Sequence, residues 1–144
     1  ESGEKLIGLD KEIKILSDYL NLEMMRYNER LTVSFEKSID KNYYQILPLL
    51  LLPFIENAFK HGISESRFES FITIDINVLN GHLSFIVENS KDAAPCIKTP
   101  KNIGLSNVTR QLELTYQDFK LDVKDNGNTF KIDLYINLKS HVEI

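Results

Sequence analysis

The chain has 144 residues, of which 42% are apolar and 26% are charged, and its formal net charge is −4. This balance is ordinary for one globular domain and gives no reason to expect a nucleic-acid partner. The single cysteine, Cys96, excludes an intrachain disulfide framework, and no apolar run reaches the roughly 18 residues of a membrane-spanning helix. Because the sequence begins without an initiator methionine, we expect it to be a piece of a longer protein.

The first predicted element is a helix that starts at Asp10, a residue type that commonly caps helices. Its apolar residues recur at three- and four-residue steps, namely Ile13, Leu16, Leu20, Met24 and Tyr27. The opposite face carries the polar residues Lys11, Glu12, Asp18, Asn21 and Arg26. The apolar face is broad enough to pack on the domain or to continue a helical element that lies upstream.

A short strand is predicted at 31–36, and the longest apolar run of the chain follows it after a polar connection. This run reads LPLLLLPFIENAFKHG over 47–62 and predicts a helix that buries most of its surface. Pro48 lies near the expected helix start, Pro53 lies in the first turns or produces a kink, and Gly62 is a natural stop.

Four polar side chains of this helix fall within an arc of roughly 140°: Glu56, Asn57, Lys60 and His61. They place a carboxylate, an amide, an ammonium and an imidazole together beside an apolar back, which indicates a functional site. The alternative is a core helix with a polar end, because structural networks also produce such clusters.

Two hairpins follow, the first with strands at 72–78 and 83–87 and the second with strands at 119–123 and 130–138. Between them lies an aperiodic loop over 89–103, followed by a helical stripe of Leu105, Val108, Leu112 and Tyr116. Helices that alternate with antiparallel hairpins predict an α+β fold, a two-layer sandwich whose mainly antiparallel sheet is covered on one face by helices.

Four short motifs follow one another along the chain: ENAFKHG at 56–62, VENS at 87–90, NIGLSNV at 102–108 and GNTF at 127–130. This set and order resembles the ATP-binding domain of sensor histidine kinases, in the GHKL superfamily of DNA gyrase and MutL ATPases. Within that superfamily, the chain resembles the LytS-like branch in particular. The resemblance implies the Bergerat ATP-binding fold, with a mixed sheet, over 31–144. It makes 1–30 a lead-in segment and helix from an upstream dimerisation and phosphoacceptor region.

The resemblance also implies roles for the residues of the first motif. Asn57 would ligate Mg²⁺ through its amide oxygen, a hard ligand suited to a hard ion. Glu56 would polarise the attacking nucleophile or hold a metal-bound water. Lys60 and His61 would face the phosphates of ATP, so Glu56, Lys60 and His61 are the implied catalytic residues.

The other implied nucleotide contacts, besides Asn57, are Asn89, Asn102, Gly104, Leu105 and Thr129. Gly104 would let the backbone approach the phosphates where a helix begins at Leu105, because free N–H groups at a helix start favour anions. Thr129 would help to hold the adenine end, and the loop over 90–103 would be the ATP lid.

Two positions depart from the family's pattern. Asn89 stands where the strand-end motif usually has an aspartate that accepts from the adenine amino group, and Lys91 and Ala93 stand at the glycine positions. Asn102 replaces the first glycine of the usual G-x-G-L motif. Because asparagine keeps an acceptor oxygen but not the charge, we expect adenine recognition to be the weaker end of the site.

Four of the implied site residues also have a purely structural interpretation. Lys60 could pair with Glu56 one turn away, and His61 could be a cation that the helix dipole favours near a C-terminus. Asn89 could be an ordinary turn residue at a strand end, and Thr129 could be a β-branched strand residue.

The resemblance implies the catalytic domain of a two-component sensor histidine kinase, which binds Mg·ATP and transfers the γ-phosphoryl group to a histidine on an upstream helix. Without that helix, the fragment should not autophosphorylate alone. The implied partners are the phosphoacceptor domain, a response regulator and a second copy in a full-length homodimer. The implied location is the cytoplasmic side of a membrane-anchored bacterial protein.

Two other classes of function stay open at this point. A degenerate, non-catalytic GHKL domain would serve as a regulatory or docking module, and the altered strand-end motif at Asn89 favours it. A soluble ATPase or protein-serine kinase of the same superfamily is the third class.

Overall fold

A five-stranded sheet with helices on one face forms the fold, and the computed structural model describes residues 6–27, 31–41, 43–62, 69–91 and 103–142. The helices are α1 (Leu9–Met24), α2 (Leu52–Gly62) and α3 (Ile103–Thr115), and a short 3₁₀ helix spans Leu138–Ser140. The strands are β1 (Ile7–Gly8), β2 (Leu31–Ile39), β3 (Gln45–Ile46), β4 (Ser70–Leu79), β5 (His82–Ser90), β6 (Phe119–Asp125) and β7 (Thr129–Asn137).

The strand order in the main sheet is β2-β4-β5-β7-β6, and β1 and β3 form a separate antiparallel pair. Strand β2 pairs with β4 in parallel, and the other neighbours are antiparallel. The buried residues of the central strands alternate along each chain segment, as in Ile72, Ile74, Ile76 and Val78 of β4. The predicted α+β sandwich with a mixed, mainly antiparallel sheet is therefore confirmed.

The starts of all three helices differ from the prediction. Helix α1 begins at Leu9 and has no side-chain cap, because its N-cap residue is Gly8, and the Leu9 N–H donates to the Tyr44 carbonyl at 2.8 Å. Asp10 lies within the first turn. Helix α2 begins at Leu52, so Pro48 lies in the preceding turn and Pro53 lies in the first turn of the helix.

The polar face predicted for α1 was wrong at Glu12, whose side chain is completely buried. Helix α1 packs its apolar stripe into the same core as the sheet, and Glu12 lies beside Ile13 at that interface. Of the two possibilities for the apolar face of α1, the structure shows packing on the domain. The division of the chain at residue 30 stays a prediction. Among the described residues, no helix is long and apolar enough to cross a membrane.

The turn between β4 and β5 is the two-residue turn that the sequence predicts. Asn80 and Gly81 have φ angles of 54° and 84°, as in the primed turns that match strand twist. Asp40, which follows β2, accepts a hydrogen bond from the Asn80 N–H at 3.0 Å and another from the Tyr44 hydroxyl at 2.7 Å. The Gly81 N–H in turn donates to the Tyr44 hydroxyl at 3.1 Å, so the end of β2 is bound to the hairpin.

We expect Asp40→Asn to lower the urea midpoint of unfolding at neutral pH, because the amide loses the charge that strengthens both hydrogen bonds. Hydrogen bonds from Asn80 N–H and from Tyr44 hold the pKa of Asp40 below its ordinary value of 3.8. A folded-state pKa below the unfolded value gives stability that is present above the unfolded pKa and lost as the pH falls. The gap between variant and wild type should therefore close in acid.

The matched control is Asp75→Asn, which changes an exposed carboxylate on the neighbouring strand. This control should leave the urea midpoint close to that of the wild type at every pH. A wild-type midpoint for Asp40→Asn at pH 7 would show that the turn does not depend on Asp40.

Candidate functional site

Helix α2 is buried on every side except a narrow polar strip. Its apolar residues Phe54, Ile55, Ala58 and Phe59 are at most 4% exposed, and the helix packs against β4, β5, α1 and α3. Phe54 meets Phe85 of β5 edge to face, with ring centroids 5.9 Å apart. A helix packed in this way has little freedom to rotate, so the direction of its polar residues is fixed.

The polar strip carries Glu56, Asn57 and Lys60. Glu56 and Lys60 are exposed and Asn57 is half-buried. Glu56 and Lys60 are not joined by an ion pair among the described residues, so the structural interpretation of Lys60 as a partner of Glu56 has no support. Helix α2 includes His61, whose side chain lies outside the described part of the chain.

Asn89 lies at the end of β5 on the face of the sheet that packs against the helices. It continues the buried series of Leu83, Phe85 and Val87 and is only 1% exposed. Its Nδ2 atom donates to the Ser90 carbonyl oxygen at 2.8 Å. A buried amide with this partner is more constrained than an ordinary turn residue.

An ion pair lies at the end of β5. It involves Lys91, which stands where the family's pattern has glycine. Lys91 Nζ lies 2.8 Å from both carboxylate oxygens of Asp125, and the Lys91 N–H donates to the Asn128 carbonyl at 2.9 Å. The Asp125 carboxylate also accepts from the Gly127 N–H at 3.0 Å. These contacts connect the end of β5 to the turn between β6 and β7.

Thr129 is placed on the other face of the sheet from Asn89. It pairs with Ser90 across β5 and β7, and successive side chains of a strand point to opposite faces. Its backbone and hydroxyl oxygens accept from Asn126, at 2.9 Å from the backbone N–H and at 3.5 Å from the side-chain amide. The structure therefore does not bring Thr129 and Asn89 together, and the predicted adenine contact of Thr129 stays a prediction.

Helix α3 begins at Ile103, two residues before the predicted start at Leu105, so Gly104 lies within its first turn. Leu105 is 6% exposed, and its carbonyl accepts from the Thr109 hydroxyl at 2.9 Å. Leu105 therefore contributes to the core, and any phosphate contact at this position would use backbone N–H groups. Asn102 and most of the predicted lid lie outside the described residues.

Tyr19 of α1 and Tyr27, which follows the end of α1, border the polar strip, and sequence reasoning assigned them no role in the site. The Tyr19 and Tyr27 rings lie 5.7 and 6.2 Å from the ring of Phe59. Burial, a hydrogen bond to Glu23 and the nearby negative charges, including that of Glu56, raise the pKa of Tyr19. The phenol of Tyr19 is therefore neutral at pH 7. Tyr27 is the last residue of the apolar stripe predicted for the first helix, whereas Tyr19 was not part of that stripe.

The donor set around Asn57 fits Mg²⁺ better than a transition metal. Among the described residues, no three His, Cys, Asp or Glu side chains come together as a metal-binding group. The half-buried amide of Asn57 offers one oxygen ligand, and the exposed Glu56 carboxylate beside it could hold a metal-bound water. Mg²⁺ in nucleotide sites is held in this way, by one or two side-chain oxygens together with water and phosphate oxygens.

Two cavities lie elsewhere on the described surface. A groove of about 890 Å³ lies between α1 and the end of β2, and none of the predicted site residues lines it. A smaller depression of about 360 Å³ lies between α3 and β6 and includes Leu105. The larger groove therefore does not belong to the candidate nucleotide site.

Several known proteins with related sequences or folds are sensor histidine kinases. Sensor histidine kinase YpdA of Escherichia coli is 28% identical over 123 residues, which cover 78% of this chain and 21% of that protein. Sensor protein LytS of Staphylococcus saprophyticus is 32% identical over 104 residues, which cover 71% of this chain and 17% of that protein. The catalytic domain of histidine kinase ThkA superposes with a TM-score of 0.64 and 16% identity, covering 94% of this chain and 97% of that domain. No protein-family profile matches the chain.

These comparisons confirm the family that the four motifs indicated. The chain spans about a fifth of the length of the curated relatives it matches. The roles of the individual site residues stay predictions.

We expect Asn89→Asp to lower the free energy of unfolding by about 1–3 kcal/mol at pH 7. The ionised carboxylate cannot donate to the Ser90 carbonyl, and one of its oxygens would face that carbonyl in a buried place. Burial raises a carboxyl pKa, so the deficit should shrink as the pH falls and the carboxyl group becomes a donor again. Urea unfolding at pH 7 and pH 5 measures both effects.

Asn77→Asp, at an exposed position of β4, is the control and should change stability little. If Asn89→Asp unfolds at the wild-type midpoint at pH 7, the hydrogen bond from the Asn89 amide to the Ser90 carbonyl does not stabilise the fold.

Proposed function

The chain matches the ATPase domain of LytS-like sensor histidine kinases in its sequence relatives and in its fold, and from this match we propose that it binds Mg·ATP for phosphoryl transfer to a histidine. The observation that carries the proposal is the polar strip of α2. It places the half-buried Asn57 beside the exposed Glu56 and Lys60 on a helix whose side chains Phe54, Ile55, Ala58 and Phe59 are buried.

The polar residues of α2 would have different roles at the phosphate end of the nucleotide. Asn57 would offer an oxygen ligand to Mg²⁺, which when bound would neutralise charge on the phosphate oxygens. Glu56 would polarise the attacking nucleophile or hold a metal-bound water. The exposed Lys60 supplies a positive charge on the same face of the helix and would face the phosphates. Helix packing holds these groups in fixed positions, and positioning with charge neutralisation is the main source of catalysis in phosphoryl transfer.

One backbone feature and one side chain complete the proposed pocket. Helix α3 starts with Gly104 in its first turn, so unpaired N–H groups and the positive end of the helix dipole are available to phosphate oxygens. Asn89 lies at the end of β5, which packs against α2, and its side-chain oxygen would accept from the adenine amino group.

We propose that the acceptor histidine lies on an upstream helix of the full-length protein, so the chain alone binds nucleotide but does not autophosphorylate. The full-length protein would then act as a homodimer, transfer its phosphoryl group to a response regulator and be anchored in a membrane. The YpdA and LytS relatives are named as sensors, which supports a role in two-component signalling.

A non-catalytic regulatory or docking module is the second candidate, and two contacts favour it. The Asn89 amide already donates to the Ser90 carbonyl, which limits its freedom to turn toward a base. Lys91 fills a position where the family has glycine and pairs with Asp125 at 2.8 Å. Both contacts reduce adenine recognition and leave the phosphate end unchanged.

Asn57→Ala should weaken Mg·ATP binding by at least about tenfold, because the substitution removes the amide ligand of the metal while leaving the apolar packing of α2 in place. Isothermal titration calorimetry with Mg·ATP, repeated with ATP and EDTA, measures the loss and its dependence on the metal. In EDTA, the wild type and Asn57→Ala should bind with similar, weak affinity.

Asn77→Ala on the exposed face of β4 is the matched control, and it should bind Mg·ATP like the wild type. If Asn57→Ala binds Mg·ATP with wild-type affinity, Asn57 is not a ligand of the metal. A wild-type chain that binds no Mg·ATP at millimolar concentration would instead favour the docking module.

A further inference from the structure

The turn that leads into α2, residues 47–51, has an unusual backbone. Leu49 has a φ of 59°, in the left-handed region that residues other than glycine, asparagine and aspartate rarely adopt. Its side chain is 52% exposed, so burial of the leucine does not explain the conformation. Such a conformation persists only where surrounding contacts determine it, and it is common near functional sites.

Glu12 of α1 supplies those contacts. Its Oε1 atom accepts from the Leu49 N–H at 2.9 Å, and its Oε2 atom accepts from the Leu51 N–H at 3.0 Å. The Glu12 side chain is 0% exposed, so both oxygens are committed to the turn and not to water. Burial raises the pKa of Glu12, and the N–H groups of the turn oppose that rise.

Hydrogen bonds hold the turn at both of its ends. Leu51 is fully buried, and its carbonyl accepts from the Phe54 N–H at 3.1 Å in the first turn of α2. On the other side, the buried Tyr116 hydroxyl accepts from the Leu47 N–H at 3.2 Å. The turn is thus held by α1 at one end and by the residue after α3 at the other.

We propose that Glu12 is a positioning residue for the nucleotide site, because it fixes the turn that sets the position of the polar strip of α2. The inference rests on the proposed function and adds α1 to the machinery that holds Glu56, Asn57 and Lys60 in place. A displacement of α1 relative to the sheet is transmitted through Glu12 to Leu49 and Leu51, and so to the start of α2. The chain therefore connects the orientation of α1 to the affinity for nucleotide.

Glu12→Gln tests the proposal in the full chain. The amide keeps the size of the side chain and one acceptor oxygen, but its NH₂ group meets one of the two N–H groups of the turn. We expect Mg·ATP to bind about tenfold more weakly by calorimetry, under conditions where circular dichroism shows the variant to be folded. Hydrogen exchange at the Leu49 and Leu51 amides should be faster than in the wild type without nucleotide.

Two further variants separate positioning from stability. Ile136→Val shortens a buried side chain at the end of β7 away from Asn89, so it weakens the core without removing a hydrogen bond of the turn and should bind Mg·ATP like the wild type. Glu12→Asp keeps the charge but is one methylene too short to reach both N–H groups, so its loss of affinity should be intermediate. If Glu12→Gln does not fold, Glu12→Asp provides the test.

Wild-type affinity in a folded Glu12 variant would overturn the proposal, and so would an equal loss of affinity in Ile136→Val. A wild-type chain that does not bind Mg·ATP would overturn the proposed function and, with it, this inference. Binding by the wild type with unchanged binding by the Glu12 variants would overturn the inference alone.

Discussion

The burial of α2 is the constraint on which the site depends. Sheet, α1 and α3 enclose the helix, and each fully buried side chain such as Phe54 or Ile55 contributes about 1.5–3 kcal/mol. Packing fixes the helix, and the polar side chains that its described part leaves open are Glu56, Asn57 and Lys60. Hydrophobic packing therefore decides where the carboxylate, the amide and the ammonium group are placed, before any ligand arrives.

The two ends of the proposed pocket are built differently. At the phosphate end the polar groups are exposed or half-buried and make no ion pair with one another, so they are available to a ligand. At the strand end the amide of Asn89 and the ammonium of Lys91 already have partners within the chain. A ligand that needs the strand end must compete with these contacts, whereas one held through its phosphates need not.

Sequence reasoning recovered the elements that depend on local patterns. The alternating residues of β4 and β5, the Asn80-Gly81 turn and the stripe of α3 follow from periodicity and turn chemistry, and the structure has them. The motif on α2 could be found because its polar and ionisable residues are close in sequence and share one helix face.

Features that depend on contacts distant in sequence could not be predicted in the same way. Glu12 looks like a solvated helix residue, and only the approach of the turn at Leu49 and Leu51, more than 35 residues later, buries it. The first N–H of α1, at Leu9, donates to the distant Tyr44 carbonyl. The face on which Thr129 lies depends on its register with Ser90, which no local pattern specifies.

The most direct test of the account is a map of backbone amide chemical shifts on adding Mg·ATP to the ¹⁵N-labelled chain. The account predicts the largest changes at Glu56, Asn57 and Lys60 of α2, with further changes at Asn89 and Gly104. Changes confined to the groove between α1 and β2, or no changes at saturating nucleotide, would contradict it.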